Sequence, residues 1–325
     1  MSGRQDLLAE IEQAAALVWA ELSPTPQLSW PLLNARAGRT VWVKHENHQP
    51  LGAVALRGAL VYLARLEGLL PPGTGLVAAS HGALGQGLAW AAARHNRPCL
   101  IVVPEGAAAA TLASLSALGA EVAVGGEDLH EAAALAAALA ESRGLHAVPL
   151  FHPWLVQGLA SCPLELFRAL PDLDAVYVPV GMGNLIAATI AARDALELST
   201  RIVGVVAERA PAYADSFWGG RPLTTPTANT LARGLACRQP DPLAVSVLCD
   251  GADRLLTVSD EAILEALRLY AVEARCLADP AAAAPLAALL AEVEAGAETG
   301  ARVGLILSGG GADAALLRQA LAEAD

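Results

Sequence analysis

At 325 residues with a formal net charge of −12, the chain has room for one large domain or two smaller ones, and its acidity excludes a nucleic-acid partner, which needs clustered Lys and Arg. Hydrophobic residues make up 54%, much of it alanine, and aromatics only 4%, a balance that excludes disorder and suits helices packed closely on a sheet. No stretch of about 18 apolar residues runs free of charge, Gly or Pro, so no membrane span is expected; the charged amphipathic start Gln5–Gln13 reads as a helix rather than a signal peptide, and the expectation is a soluble cytoplasmic protein.

Strand-like runs alternate with longer Ala/Leu segments, the pattern of βαβ units and a mostly parallel sheet. Thr40–Lys44 reads as a strand before the Pro50-Leu51-Gly52 turn, and Leu56–Glu67 as a helix. Strand Gly75–Ala79 leads through a glycine turn to the helix Gly85–His95, then come strand Cys99–Val103, helix Thr111–Leu118 and strand Glu121–Val124. Helix His130–Arg143 precedes strand Ala147–Leu150; the apolar run Ala175–Val180 ends at a glycine turn before helix Leu185–Leu196. Ile202–Ala207 and Arg302–Leu307 repeat the plan, and Ser259 is placed to cap a helix opening at Asp260. The alanine patch at 107–110 reads as packed helix. Cys99, Cys162, Cys237, Cys249 and Cys276 show no C-x-x-C spacing and read as small buried hydrophobes in a reducing compartment, not as a zinc site. The six tryptophans read as packing residues.

Five short segments carry the functional signal. Trp42–Ala59 reads WVKHENHQPLGAVALRGA, Ser80–Gln86 reads SHGALGQ, Gly181–Leu185 reads GMGNL, Asp279–Ala283 reads DPAAA, and Ser308–Gly311 reads SGGG. Gly181–Leu185 sits between a strand and a helix, where backbone N–H groups and a helix N-terminus can hold an anion; a plain strand-to-helix turn reads the same way.

The first segment closely resembles the cofactor-lysine signature of the pyridoxal 5′-phosphate (PLP) enzymes of the threonine dehydratase and serine racemase family, approximately K-x-E-N-x-x-P-x-G-[SA]-F-K-x-R-G-A. The resemblance covers nearly the whole chain, from Thr25-Pro26 to Ser308–Gly310. It implies a two-domain, doubly wound α/β fold of mostly parallel sheets: a large domain of residues 1–68 and 151–325, a small domain of 69–150, and the site in the cleft between them. In that family a lysine amine holds PLP as a Schiff base and shuttles the substrate's α-proton. Here Phe-Lys is replaced by Val54-Ala55, and a methyl group does neither.

The other segments resemble the family's S-x-G-N-H-G-Q, G-G-G-G-L, E-[GP]-[SA]-G-A and S-G-G-N turns. Ser80, Gly82, Gly181, Gly183 and Ser308 are kept; Ala83-Leu84, Met182, Asn184, Asp279, Ala282 and Gly311 depart. The family's asparagine contact to the cofactor's ring oxygen is therefore missing at Ala83, while Asn184 tolerates left-handed backbone and can donate a hydrogen bond. His152, in FHPWL, matches the family's F-H-P turn beside the site. The metal site of some relatives lacks its second carboxylate, with Ala214 after Glu208 and Asp215 one residue out of register, so no metal is expected.

A single lysine replacement would leave the rest of the pocket intact, and here several loops depart together. The resemblance then leads to a catalytically degenerate homologue, a ligand-binding or partner subunit for a small amino acid or 2-oxo acid, as a homodimer or as a heteromer with a related subunit. No cofactor is expected, beyond weak non-covalent binding of PLP or phosphate. Two alternatives stand beside it: a redirected, PLP-independent enzyme with His81 as acid/base, and an active ammonia-lyase or racemase using Lys44, the only lysine of the chain, in place of the lost one. The structural reading of Lys44 is a stem packed on the sheet with its ammonium paired to Glu46.

Overall fold

A computed structural model of the protein describes residues 2–322. Its strands are β1 (Gln27–Ser29), β2 (Thr40–His45), β3 (Leu76–Ala79), β4 (Cys99–Val103), β5 (Glu121–Val124), β6 (His146–Val148), β7 (Ala175–Pro179), β8 (Arg201–Ala207), β9 (Arg254–Val258) and β10 (Arg302–Leu307). The first helices are α1 (Ser2–Trp19), α2 (Pro31–Ala37), α3 (Ala55–Leu66), α4 (Ala83–Arg94), α5 (Ala109–Ala117), α6 (Leu129–Arg143) and α7 (Pro153–Leu159). They are followed by α8 (Ser161–Ala169), α9 (Asn184–Ala195), α10 (Ala212–Gly219), α11 (Pro242–Gly251), α12 (Asp260–Val272), α13 (Pro280–Glu294) and α14 (Ala314–Ala322).

The strands form two sheets, one of six in the order β1-β2-β10-β7-β8-β9 and one of four in the order β5-β4-β3-β6. Every pairing is parallel except the short edge β1 against β2. This is the doubly wound α/β architecture expected from the alternation of strand and helix patterns. Parallel strands need crossovers, and covering both faces with helices makes central strands apolar throughout; β4 and β7 are buried along their whole length.

Period-two alternation sorts the side chains of each sheet between two cores. Ala175 and Tyr177 of β7 pack with Leu267, Tyr270 and Leu286 of α12 and α13 on one face. Val176 and Val178 pack on the other, against Phe167, Ile186 and Leu248 of α8, α9 and α11. In the smaller sheet, Leu76, Ala78 and Ile101 meet α3 and α4, while Val77, Leu100 and Val102 meet α6. Helix α3 therefore packs onto the four-stranded sheet's core although its N-terminus is tied to the six-stranded one, where Val54 donates its N–H to the Ser308 carbonyl at 2.9 Å.

Helix ends follow local chemistry. Ser259 caps α12 by accepting from Ala262 N–H, as its position before Asp260 predicts. Asp128 caps α6 and Asp241 caps α11, each accepting two backbone N–H groups. Three expectations are corrected. The patch at 107–110 enters α5 only at Ala109, and its helical residues are exposed. Trp218 is 70% exposed rather than packed. Cys249 is exposed and Cys276 only half-buried, whereas Cys99, Cys162 and Cys237 are buried. Among the described residues no helix is long and apolar enough to cross a membrane.

Candidate functional site

The five segments singled out in the sequence converge where the two sheets meet. Ala53 bridges Gly309, and Gly310 donates its N–H to the Gly52 carbonyl at 2.9 Å, so the loop before α3 lies along the loop after β10. Ala55 is the first residue of α3, half-buried and beside Ser308 through the Val54 hydrogen bond. The Ser308 hydroxyl makes no bond to the protein among the described residues and is half-buried. Helix α4 crosses α3 closely at Gly87, where a β-carbon would lie 3.1 Å from the Leu56 Cα.

At the start of α4, the buried Ser80 hydroxyl accepts the N–H groups of Gly82 and Gly85 at 3.0 and 2.9 Å and so shapes the turn. Gly82 has φ 150°, a backbone state open to glycine, and Ala83 is exposed. The candidate His81 lies on this turn, half-buried. Its Nε2 is buried with no hydrogen-bond partner. Burial and the Arg233 charge lower its pKa to about 4, with His130 adding to the effect and Asp128 opposing it, so it is neutral at neutral pH.

The glycine turn before α9 is set by the protein's own packing. A β-carbon on Gly181 would overlap the Gly234 carbonyl oxygen. Gly183 has φ 87°, and a β-carbon there would sit 2.8 Å from both the Tyr213 hydroxyl and the Ala244 methyl. The Tyr213 hydroxyl donates to the Met182 carbonyl at 2.9 Å. The Asn184 side chain ties α9 to the loop after β6, donating to the Leu150 carbonyl at 2.8 Å and accepting from His152 N–H at 3.2 Å. His152 itself caps α7, its Nδ1 accepting from Trp154 N–H at 3.1 Å. Asp279 caps α13 through Ala282 N–H at 2.9 Å, and burial raises its carboxyl pKa against those backbone bonds. Ala282 is fully buried, its methyl packed in the core of the six-stranded sheet.

Lys44 lies elsewhere. Its ammonium is buried in a charge cluster with Glu165 Oε2 at 2.5 Å, the Thr25 carbonyl at 2.8 Å and Gln27 Oε1 at 3.3 Å. Glu46, the partner expected from sequence, stands farther off at 3.9 Å. Arg57 completes the cluster, bonding both carboxylates of Glu46 and Glu165 while itself fully buried. A lysine so enclosed cannot reach a carbonyl ligand without dismantling the cluster. Glu165, a hundred residues and more from its partners, had no signal in the sequence. Glu208 and Asp215 are exposed, and no group of three His, Cys, Asp or Glu gathers among the described residues.

The family model for pyridoxal-phosphate dependent enzymes matches residues 18–309. The chain belongs to that family. It is 29% identical to L-threo-3-hydroxyaspartate ammonia-lyase of Saccharomyces cerevisiae over 90% of this chain and 89% of that protein. It is 31% identical to L-threonine ammonia-lyase of Thermotoga maritima over 87% of this chain and 70% of that protein. The crystal structure of a pyridoxal 5′-phosphate-dependent aspartate racemase superposes with a TM-score of 0.89 at 26% identity, covering 96% of this chain and 97% of that one.

Membership corrects the expectation that no cofactor belongs here, since PLP is the group this family uses. The residues fit part of it. The N–H groups opening α9 at Asn184 and the free Ser308 hydroxyl are of the kind that hold a phosphate and a ring polar atom. Ala83 offers no side-chain hydrogen bond.

Proposed function

We propose that this chain is a threonine dehydratase-like protein that has lost the covalent anchor for PLP at Ala55, and with it ammonia-lyase and racemase turnover. In this reading it serves as a ligand-binding or partner subunit for a small amino acid or 2-oxo acid. One observation carries the reading: the chain's only lysine, Lys44, is locked at 0% exposure between Glu165 and the Thr25 carbonyl, while an alanine methyl opens α3 beside Ser308. The reading places the protein in the cytoplasm, as a homodimer or paired with a related subunit, and divides it into 1–68 with 151–325 and 69–150.

PLP, when bound, supplies an electron sink for charge developing at a substrate's α-carbon. The chain's own groups hold rather than react. The α9 N-terminus attracts an anionic phosphate, Ser308 offers a hydroxyl, and Ser80 fixes the α4 turn through Gly82 and Gly85. No amine stands ready to move the α-proton, a step of the kind general acid/base groups accelerate by about 10²–10⁴-fold.

The test is reduction with borohydride after incubation with PLP, followed by mass spectrometry, alongside assays for 2-oxo acid release from L-threonine, L-serine and L-threo-3-hydroxyaspartate. The wild type is expected to give no phosphopyridoxyl adduct and no turnover, and Ala55→Lys to gain the adduct at residue 55. An adduct on wild-type Lys44 accompanied by turnover would overturn the reading.

A second reading is favoured by one observation. His81 combines a buried Nε2 that has no hydrogen-bond partner with a ring held neutral by burial and the Arg233 charge, so its open hydrogen-bonding valence is not used by the protein. If the protein turns over any substrate without PLP, His81→Ala is expected to abolish that activity; unchanged turnover in the variant removes this reading.

A further inference from the structure

A cavity of about 340 Å³ opens at the seam between the two halves of the molecule. His130 of α6 and the loop after β6 wall one side; Met182, Tyr213 and the segment leading into α11 wall the other. None of Ala55, Ser80, His81, Asp279 or Ser308 lines it, so what it holds does not depend on the reading of Ala55. The volume exceeds the roughly 150 Å³ that holds a benzene ring, which leaves space for a ring and a short chain. Most of the wall is apolar, from Phe151, Met182, Tyr213 and three prolines. Met182 stands where the G-G-G-G-L turn has a glycine, so this wall belongs to the present chain rather than to the family's loop plan.

The polar groups of the wall are acceptors left with spare capacity. The His130 ring bonds the Gln239 carbonyl through Nε2 at 3.0 Å, and a carbonyl only accepts, so the proton sits on Nε2 and Nδ1 keeps its lone pair. Burial lowers the pKa of His130 against the pull of that bond, which holds the ring neutral. Asp241 Oδ1 caps α11 by accepting from Leu243 and Ala244 N–H at 2.9 and 3.3 Å. Its second oxygen has no bond, and its carboxylate no ion pair, among the described residues. No Lys or Arg lines the cavity, and Arg238 close by is already paired with Asp128 at 2.5 Å. A carboxylate ligand would find no counter-charge here, whereas an ammonium would meet Asp241 and the His130 lone pair.

We propose that this seam cavity is a binding site for a small aromatic amine, its ring against Met182, Phe151 and Tyr213 and its ammonium on Asp241 and His130. Apolar walls with a few convergent polar groups are the usual build of a small-molecule site: the walls supply affinity and the polar groups select the head. Selection here is by sign of charge, since ring and chain are common to amine, alcohol and acid. Because the walls come from both halves, a bound amine bridges them.

Calorimetric titration of the full-length protein with phenethylamine, 2-phenylethanol and 3-phenylpropionate tests the assignment. Phenethylamine is expected to bind about tenfold tighter than the alcohol, the scale of one charge-assisted hydrogen bond, and the acid weakest of the three. Asp241→Asn keeps a capping side chain on α11 and removes the charge, and is expected to bring the amine down to the level of the alcohol. Asp241→Ser, which also caps, is expected to do the same. Met182→Gly is expected to weaken amine and alcohol alike, by about fivefold, as part of the apolar wall is lost. No binding of phenethylamine at millimolar concentration, equal binding of amine and acid, a preference that survives both Asp241 variants, or unchanged affinities in Met182→Gly would each overturn the proposal. Borohydride trapping and turnover assays read Ala55 separately, so either result leaves the cavity's test intact.

Discussion

The cluster of Lys44, Glu46, Arg57 and Glu165 and the seam group of Arg233, His81, Asp128 and Arg238 are both sets of ionisable side chains brought together from distant segments. In the first, two cations meet two carboxylates, every charge has a close partner, and Thr25, Gln27, Gln49 and Ser161 take up remaining hydrogen bonds. In the second, one pair is complete, and a cation and an imidazole nitrogen are left over. The difference separates two pressures. A buried charge framework such as Lys44 and Arg57 must be balanced for the chain to fold, whereas the exposed Arg233 is met by solvent and needs no partner.

The sharpest way to break the comparison is Glu165→Ala. It leaves Glu46 as the one carboxylate beside two buried cations, Arg57 and Lys44, and removing one partner of such a cluster costs about 3–5 kcal/mol. Denaturant unfolding is expected to show that loss, while Arg233→Gln leaves the midpoint in place; similar small effects from both would erase the distinction.

A smaller effect comes from pH. His45 is fully buried, stacked with His48, and accepts from the Trp30 indole N–H at 3.3 Å. Burial, with His48 and Lys44 nearby, lowers its pKa to about 4, although Asn47 pulls the other way. Its folded pKa lies below the unfolded value near 6.5, so the unfolded chain binds the proton first as pH falls. Its contribution to stability is complete above about pH 6.5, is lost progressively as pH falls toward 4, and amounts to on the order of 3 kcal/mol. Unfolding midpoints measured across that window are expected to fall less steeply in His45→Gln than in the wild type. Matching slopes would place the acid sensitivity elsewhere.

The smallest effect separates capping from ligand chemistry. Asp279→Ala removes the N-cap of α13 and is expected to cost about 1 kcal/mol. The same change is expected to leave any non-covalent PLP binding, read by its absorbance, untouched; lost binding would move Asp279 into the site.

Much of the fold was legible because each strand and helix is signalled over neighbouring residues. The apolar runs at β4 and β7, the Ser259 cap and the glycine turn before α9 all fall where the sequence puts them. The site was legible as a set of segments and not as contacts. Asn184 looked like a phosphate donor, yet its amide spans to Leu150 and His152. Trp218 and Cys249 looked like core residues and lie at the surface, because residue type alone does not say which face of a short helix meets the core. Arg233 carried no signal at all, since an unpaired arginine is visible only once its neighbours are placed.

By itself the sequence determined the alternation of strands and helices and the family's loop plan, because each of these resides in residues adjacent along the chain. Only the tertiary structure decided that Lys44 answers Glu165 across 121 positions and that His81 is enclosed without a partner. Ion pairing and desolvation depend on distance and burial in space, and neither is fixed by separation along the backbone.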